Sequence, residues 1–199
     1  MITENSDVVA LTAQADIHRL CVKVVQPALS EFAPTVDIVR ETTDIDEFLE
    51  HARINTHNSL CHELRRTFAL VLAALFERQL RFWLSEKMPV KKESVEKALW
   101  SDLIKLVDCV DGSITTNPVM TELENLHLVA NAVRHGNGRS AKSLLQKKPD
   151  FLSQTGTRPH VKRDLIGNMR IDDAQLQLYA IAVMRFWHLA GASPLPKLV

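Results

Sequence analysis

Apolar positions along this chain recur mainly at three- and four-residue intervals, which is the periodicity of helices with one buried face. The strongest run extends from Asn58 to Lys87 and contains no glycine or proline. Its apolar stripe comprises Leu60, Leu64, Phe68, Val71, Leu75 and Phe82. The pattern predicts a helix of about 28 residues, roughly 42 Å long, that should be the longest helix and the centre of the fold.

Weaker signals of the same kind predict the remaining helices. Pro27 should kink or end the first helix, Thr43 or Asp44 should cap a short second helix through "IDEFLEHARI", and "SAKSLLQKK" suggests a short helix after residue 138. The longer predicted helices are Ser6 to Phe32, Ser94 or Glu93 to Val110, Pro118 to Arg134, and Asp172 to Ala190. The segment from Pro149 to Ile171 is predicted to be a surface loop with a turn or hairpin.

These elements predict an all-α fold: a single-domain helical bundle of about six or seven helices with one long central helix. Residues 1–199 form one domain in this interpretation, with N-terminal helices and a connector in 1–57 and the bundle core in 58–190. We expect the central helix to pack against the 118–135 and 172–190 helices. A nucleotide-binding α/β sheet is disfavoured, because the chain lacks strand–helix alternation, G-x-G-x-x-G and the P-loop pattern.

Composition narrows the classes of partner. The 24 basic and 24 acidic side chains balance, so any contact with a polyanion has to be local. The 3 cysteines are odd in number and lack a Cys-x-x-Cys pair, which favours free thiols and a cytoplasmic location. The most apolar run, "FALVLAALF", is shorter than the roughly 20 residues that span a bilayer, so no membrane association is expected.

The chemistry of the chain is concentrated in "ENLHLVANAVRHGNGRSAKSLL". At 100° per residue, one arc of this helix carries five polar groups: Glu124, His127, Asn131, Arg134 and His135. The opposite arc carries Leu123, Leu126, Val129, Ala130 and Val133. Many amphipathic helices have a polar face without a function. Two imidazoles and an amide are unusual on such a face, however, and an imidazole can act as an acid or a base near neutral pH.

The helix is predicted to stop at "HGNGRS". Gly138 or Ser140 would begin the next helix, whose free backbone N–H groups suit a phosphate, and Arg134 and Arg139 flank this end. A plain helix stop and turn is the alternative interpretation. His57 and Cys61 have the spacing of two metal ligands on a helix, but no further ligands are apparent, so neither a metal nor a cofactor is expected. Glu77 is predicted to pair with Arg81 one turn later or with a histidine or arginine of the 118–135 helix.

The long apolar helix with "FERQL" and the later "ANAVRHGNGRS" resemble the HEPN superfamily of small helical-bundle domains (higher eukaryotes and prokaryotes nucleotide-binding). Many members carry an arginine, usually followed by a polar residue such as asparagine, five positions before a histidine. On this chain the asparagine falls on Asn131, the histidine on His135 and the arginine on Ala130, which is a departure; Arg134, one turn later, is a candidate substitute. The resemblance covers residues 58 to 190.

Active HEPN proteins are metal-independent RNases that work as dimers, so the resemblance implies an endoribonuclease of a toxin or defence system. His135 would be the acid or base, Asn131 would orient the substrate, and Arg134 would hold phosphate. The ligand-binding candidates are Arg139, Ser140, Gly138 and His127. The partners implied are RNA or nucleotide, a second subunit across the 127/131/135 line, and an antitoxin or partner protein. Two alternatives remain: a non-catalytic module that binds RNA, nucleotide or a protein, and a dimeric scaffold.

Overall fold

The computed structural model describes residues 7–36, 43–89, 91–147 and 169–191. The all-α, single-domain prediction is confirmed, and the described residues contain helices but no β-strand. The predicted loop over residues 149–171 lies largely outside the described residues.

The N-terminal helical segment passes through Pro27 without ending there. Helix α1 (Val8–Leu20) continues through a π-helical turn (Cys21–Val25) into α2 (Gln26–Glu31). In this wide turn the Gln26 N–H donates to the Cys21 carbonyl oxygen, five residues back. A proline inside a regular α-helix clashes with the carbonyl four residues earlier and donates no hydrogen bond. The extra residue per turn displaces that carbonyl, so the chain accommodates Pro27 without a break.

Helix α3 (Ile45–Lys87) is a single helix of 43 residues, about 64 Å long at 1.5 Å per residue. Asp44 caps it, as predicted. The predicted break before Asn58 was wrong, because neither glycine nor proline interrupts the junction. Two hydroxyl groups at the junction also bond within the helix: Thr56 Oγ1 donates to the Ala52 carbonyl oxygen at 2.8 Å, and Ser59 Oγ donates to the Asn55 carbonyl oxygen at 2.8 Å.

The buried face of α3 also differs from the predicted stripe. Leu60, Val71 and Phe82 were assigned to this stripe, but they are 58%, 41% and 55% exposed. The apolar residues buried along α3 are Cys61, Ala69, Leu72, Ala73, Phe76, Leu80, Trp83 and Leu84. Both faces of this helix are apolar, and the periodicity alone did not distinguish them.

The predicted helix from Glu93 to Val110 is two helices, α4 (Lys92–Glu96) and α5 (Trp100–Val110). A side chain of α3, Arg81, stabilises the break at residues 97–99. The Arg81 guanidinium donates to the carbonyl oxygens of Val95, Glu96 and Ala98 at 2.6, 2.9 and 2.9 Å. In a continuous helix these carbonyls would accept from N–H groups four residues later, so the arginine supplies donors to carbonyls at the break.

A short helix, α6 (Gly112–Thr115), leads into α7 (Val119–His135), α8 (Arg139–Lys147) and α9 (Asp173–Leu189). The predicted packing is confirmed, since α3 contacts both α7 and α9, and α7 also contacts α8. Helices α3 and α9 are parallel, because Arg65 pairs with Asp173 near the start of α9 and Trp83 meets Phe186 edge to face near its end. Helix α1 is antiparallel to both, because Asp7 at its start meets the ends of α3 and α9.

Edge-to-face aromatic contacts join α3 to α9 in the core. Phe76 lies 5.0 Å from Phe186 and 5.8 Å from Trp187, and Trp83 lies 6.3 and 6.2 Å from the same two rings, measured between ring centroids. All four side chains are at most 2% exposed. Such pairs add about 0.5–1.5 kcal/mol each to the free energy gained by burial, so this cluster is a major source of stability.

Asp7 connects the beginning of α1 to the far ends of the other two helices. Its Oδ1 accepts from the N–H groups of Val9 and Ala10 at 2.9 and 3.0 Å. Its Oδ2 accepts from Trp83 Nε1 at 2.9 Å and pairs with Lys87 at 2.8 Å. Burial acts to raise the pKa of Asp7, but the hydrogen bonds from Lys87, Ala10 and Trp83 outweigh it, and the pKa lies below its usual value.

We predict that Asp7→Ala destabilises the protein by about 2–4 kcal/mol, because it removes a helix cap and leaves the buried Trp83 N–H unpaired. Asp44→Ala is the matched control: Asp44 caps α3 with the same two-bond geometry at an exposed position, so the loss there should be about 1 kcal/mol. Urea unfolding of both variants measures the difference. Equal losses would contradict a cross-linking role for Asp7.

Candidate functional site

The polar arc of α7 does not form one uniform surface. His127 and Asn131 are half-buried, whereas Glu124, Arg134 and His135 are exposed. On the opposite side, Leu123, Leu126, Val129 and Ala130 are buried against the neighbouring helices, as predicted, and Val133 is half-buried. The arc therefore has an inner part around His127 and an outer part at the end of the helix.

His127 lies in a more specific environment than the sequence indicated. Its imidazole stacks on the Trp100 indole with ring centroids 4.5 Å apart and an interplanar angle of 13°. Asn131 Nδ2 lies 2.8 Å from His127 Nε2. With the amide donating to Nε2, the neutral imidazole carries its proton on Nδ1.

The surroundings of His127 favour the neutral ring. Burial lowers its pKa and Arg134 lowers it further, while the carboxylates of Glu77 and Glu124 act in the opposite direction without reversing the shift. The Glu77 carboxylate is itself paired with Arg81 at 2.6 Å, as predicted, which leaves it less able to stabilise an imidazolium ion. His127 is thus a neutral hydrogen-bond acceptor and stacking partner at physiological pH.

Trp100 is positioned by the contact of Arg81 with the junction between α4 and α5. Arg81 binds the carbonyls of residues 95, 96 and 98, and Trp100 begins the next helix with its ring also 6.2 Å from Phe76. Glu77, Arg81, Trp100, His127 and Asn131 therefore form one cluster between α3, α5 and α7, which we call the His127 cluster. The sequence signal that could have identified this cluster is the i,i+4 spacing of Glu77 and Arg81 close to the aromatic residues Phe76 and Trp83.

The outer part of the arc lies at the corner between α7 and α8. Gly136 adopts φ 71°, a conformation that favours glycine, and its N–H donates to the Ala132 carbonyl at 2.9 Å. Gly138 precedes α8 and accepts from the Lys142 N–H at 3.3 Å. The predicted helix stop and restart are therefore present. Lys147 at the end of α8 pairs with Glu124 of α7 at 2.7 Å, which stabilises the packing of α8 against α7.

Three cationic or ionisable side chains surround this corner in solvent: Arg134, His135 and Arg139 are exposed, and Ser140 is half-buried. Neither arginine makes an ion pair within the described part of the chain. We call Arg134, His135, Gly138, Arg139 and Ser140 the α7–α8 corner.

The two histidines of α7 belong to different sites. His127 and His135 are eight residues apart, about 12 Å along the helix axis, so one chain cannot place both on a single phosphate. Asn131 is bonded to His127 and lies one turn from His135. Ala130, which falls at the arginine position of the HEPN motif, is 3% exposed. Arg134 is close enough to His127 to lower its pKa.

Sequence reasoning missed two buried arginines on α3. Arg65 is 2% exposed; its Nε donates to Asp173 Oδ1 at 2.7 Å and its Nη1 to the carbonyls of Phe32 and Cys61 at 3.1 and 3.0 Å. Arg66 is 7% exposed and pairs with Glu63. Both lie one helical turn after Cys61, and this spacing was the available sequence signal. Arg65 therefore connects α3 to α9, and Arg66 Nη1, which donates to the Met169 carbonyl oxygen at 3.3 Å, connects α3 to the segment before α9.

The His57–Cys61 pair is close, with Nε2 3.4 Å from Sγ, and Nε2 also lies 3.1 Å from the Ala33 carbonyl oxygen. Across the described ranges, no group of three or more His, Cys, Asp or Glu side chains is arranged to hold a metal ion. None of the described helices is both long and apolar enough to cross a membrane. The 3 cysteines are free; Cys21 and Cys61 are buried and Cys109 is exposed.

Comparisons of the chain with protein-family models, with curated proteins and with solved structures found no match.

The lowered pKa of His127 predicts a pH-dependent stability. The unfolded chain, in which the pKa of this imidazole is close to 6.5, takes up the proton more readily than the folded chain. The neutral His127 ring therefore contributes to the free energy of unfolding above this pH, and the contribution is lost as the pH falls below it. His127→Phe retains a ring against Trp100 but cannot be protonated. We expect the variant to lose less unfolding free energy than the wild type between pH 7.5 and pH 5, measured by urea denaturation.

The exposed His135→Phe substitution is the matched control for removing one imidazole from the same helix. If the His127→Phe and wild-type curves stay parallel across this pH interval, His127 does not contribute to the acid sensitivity.

Proposed function

We propose that the chain is a HEPN-like domain that binds RNA at the α7–α8 corner. The observation that carries the proposal is the exposure of Arg134, His135 and Arg139 around the start of α8, with neither arginine paired in the described part of the chain. Guanidinium groups bind phosphate oxygens through two parallel N–H bonds, and exposed unpaired ones need little desolvation to do so. The balanced net charge of the chain makes such a local patch the reasonable place for a polyanion.

The backbone of the corner supports the same ligand. The first N–H groups of α8 lack partners within their own helix and carry the positive end of its dipole. Gly138 has no side chain, and a Cβ added there would meet open space, so a phosphate can approach the backbone closely. Ser140, half-buried at the first turn of α8, adds a hydroxyl that can donate to the same oxygens.

Metal-independent cleavage of RNA is the second candidate function. It is favoured by the retention of His135, exposed at the end of α7, at the histidine position of the motif. In that mechanism a base removes the 2′-hydroxyl proton, the oxygen attacks the adjacent phosphorus, and an acid protonates the leaving 5′-oxygen. His135 would serve as one of these groups. Since His127 is about 12 Å away, the other group would come from a second subunit.

Two observations favour binding over cleavage. Ala130 occupies the position of the motif arginine and is buried, so no guanidinium reaches the site from there. Asn131, the proposed orienting group, is already bonded to His127. Arg134 is the remaining candidate to stabilise a charged transition state. A cytoplasmic toxin or defence protein with an antitoxin or other protein partner is the setting that the resemblance implies, and the free cysteines agree with a reducing compartment.

Binding predicts a specific salt dependence. Replacing Arg134 and Arg139 together by alanine should remove two phosphate contacts and lower the slope of log affinity against log salt by about 1.4 for single-stranded RNA. Fluorescence anisotropy with a labelled single-stranded RNA measures this slope. The matched control replaces Arg19 and Arg185, which are exposed on α1 and α9, and should leave the slope unchanged.

If the control pair lowers the slope as much as the corner pair, the binding site is not at this corner. If the wild type binds no RNA even at low salt, the binding proposal is wrong.

Cleavage predicts an activity that persists in EDTA and depends on one imidazole. His135→Ala should lower the rate at saturating RNA by about 10²–10⁴, the usual loss for a general acid or base, without a change in the circular dichroism spectrum. His188→Ala, another exposed histidine near the end of a helix, is the control and should keep the wild-type rate. A wild-type protein that binds RNA but leaves it intact in EDTA would reject cleavage and retain binding.

A further inference from the structure

The outward face of α3 carries a long apolar stripe with no covering helix in the described part of the chain. Eleven exposed residues follow one another at three- or four-residue steps and lie within an arc of about 120°. They are Ile45, Leu49, Ala52, Thr56, Leu60, Glu63, Thr67, Val71, Ala74, Arg78 and Phe82. We call them the α3 outer stripe. Seven of the eleven are apolar, and Ile45, Leu49, Leu60, Val71 and Phe82 are 75%, 59%, 58%, 41% and 55% exposed.

This composition is unusual for a face in contact with solvent. Exposed helix faces normally carry charged and polar residues, whereas the stripe has only one acidic and one basic residue and no lysine. The opposite face of α3 forms the core. A helix that is apolar on both sides is typically buried on both sides, and a contiguous exposed apolar surface of this length marks an interaction site.

The part of the stripe from Leu60 to Phe82 is nearly symmetric about Val71. Leu60 and Phe82 each lie eleven residues from it, and between them Glu63 and Arg78 lie eight residues before and seven residues after it. Thr67 and Ala74 occupy equivalent positions closer to the centre. An antiparallel copy of the same helix, related by a two-fold axis at Val71, would therefore place Leu60 against Phe82 and Glu63 against Arg78, twice each.

The charges of the stripe fit this arrangement. Arg78 is exposed and makes no ion pair or side-chain hydrogen bond in the described structure. Glu63 is paired with Arg66 through one carboxylate oxygen, which leaves the other free to accept. A second copy would thus supply the partner that Arg78 lacks, and the two opposite charges are placed at nearly equal distances from the axis.

A cavity beside Phe82 fits the apolar ends of the stripe. It has a volume of about 500 Å³ between α1 and α3, and its walls include Val8, Val9, Ala13 and Phe82. In the antiparallel arrangement Leu60 of the second copy lies next to Phe82 and would enter this cavity. The overlap from Leu60 to Phe82 is about 33 Å long, so the contact would involve six turns of each helix.

We propose that α3 is a homodimer interface, in which two copies of this chain pack antiparallel along the Leu60–Phe82 part of their outer stripes with the two-fold axis at Val71. This interface is distinct from the 127/131/135 line of α7 and does not depend on the RNA-binding proposal. The bundle cores stay intact on either side, since every residue of the stripe is exposed in the single chain.

Sedimentation equilibrium of the purified full chain tests the interface. The wild type should form a dimer with a dissociation constant in the micromolar range or below. Val71→Glu places two like charges at the axis and Arg78→Glu places two acids opposite each other, so each should weaken dimerisation by at least about tenfold. Arg185→Glu, on the exposed side of α9, is the matched control for charge reversal and should dimerise like the wild type.

Exchanging the charges at positions 63 and 78 tests the antiparallel arrangement more directly than the single substitutions. Arg78→Glu mixed with Glu63→Arg should form a heterodimer, because each chain then supplies the charge that the other lacks, and the double variant Glu63→Arg/Arg78→Glu should recover an affinity within about threefold of the wild type. Circular dichroism verifies folding of each variant, because Glu63 also pairs with Arg66. If Glu63→Arg does not fold, Val71→Glu and Arg78→Glu decide the question alone.

The outcomes separate the two interfaces. A monomeric wild type at the highest soluble concentration would overturn the proposal. A dimer that is insensitive to Val71→Glu and Arg78→Glu but disrupted by Arg134→Glu would also overturn it and would place the contact on α7 instead.

Discussion

The rest of the structure depends on the burial of one face of α3 against the aromatic side chains of α9. Phe76 and Trp83 meet Phe186 and Trp187 edge to face, and this contact aligns the two helices in parallel. Helices in folded proteins gain most of their stability from such packing of a buried face. Two further sides of α3 pack against α7 and α1, while its outer stripe stays exposed, so the aromatic contact determines where α7 can lie.

The position of α7 explains why evenly spaced polar residues meet different environments. The first part of the helix passes beside α5, where Trp100 covers His127, and the last turn extends to the corner with α8. His127 is consequently a neutral ring in a packed cluster, whereas His135 faces solvent next to two arginines that make no ion pair with any described residue. Two histidines on the same four-residue repeat therefore differ in role: His127 is a structural group, and His135 is accessible to a ligand.

Helix α3 also shows that polarity and burial are not equivalent in this fold. Arg65 is almost fully buried because Asp173 and two backbone carbonyls satisfy its guanidinium, while Leu60 and Phe82 lie in solvent. A buried charge is tolerated when its hydrogen bonds are complete, and an exposed apolar surface is stable when another surface covers it. The first condition is met within the chain, and the proposed α3 interface would meet the second.

The sequence by itself determined features that depend on near neighbours: the all-α class, the helix stop at Gly136 and the two-sided character of α7. For the cap of α3 and the partner of Glu77 it gave two alternatives each, and the structure has Asp44 and Arg81. Backbone dihedral preferences and contacts within one helical turn decide these features. Only the tertiary structure decided which face of α3 is buried, that Trp100 stacks on His127 and that Arg81 separates α4 from α5. Both faces of α3 are apolar, so its periodicity defines a helix without defining its rotation about the axis. Contacts between distant residues depend on that rotation, and no local pattern contains it.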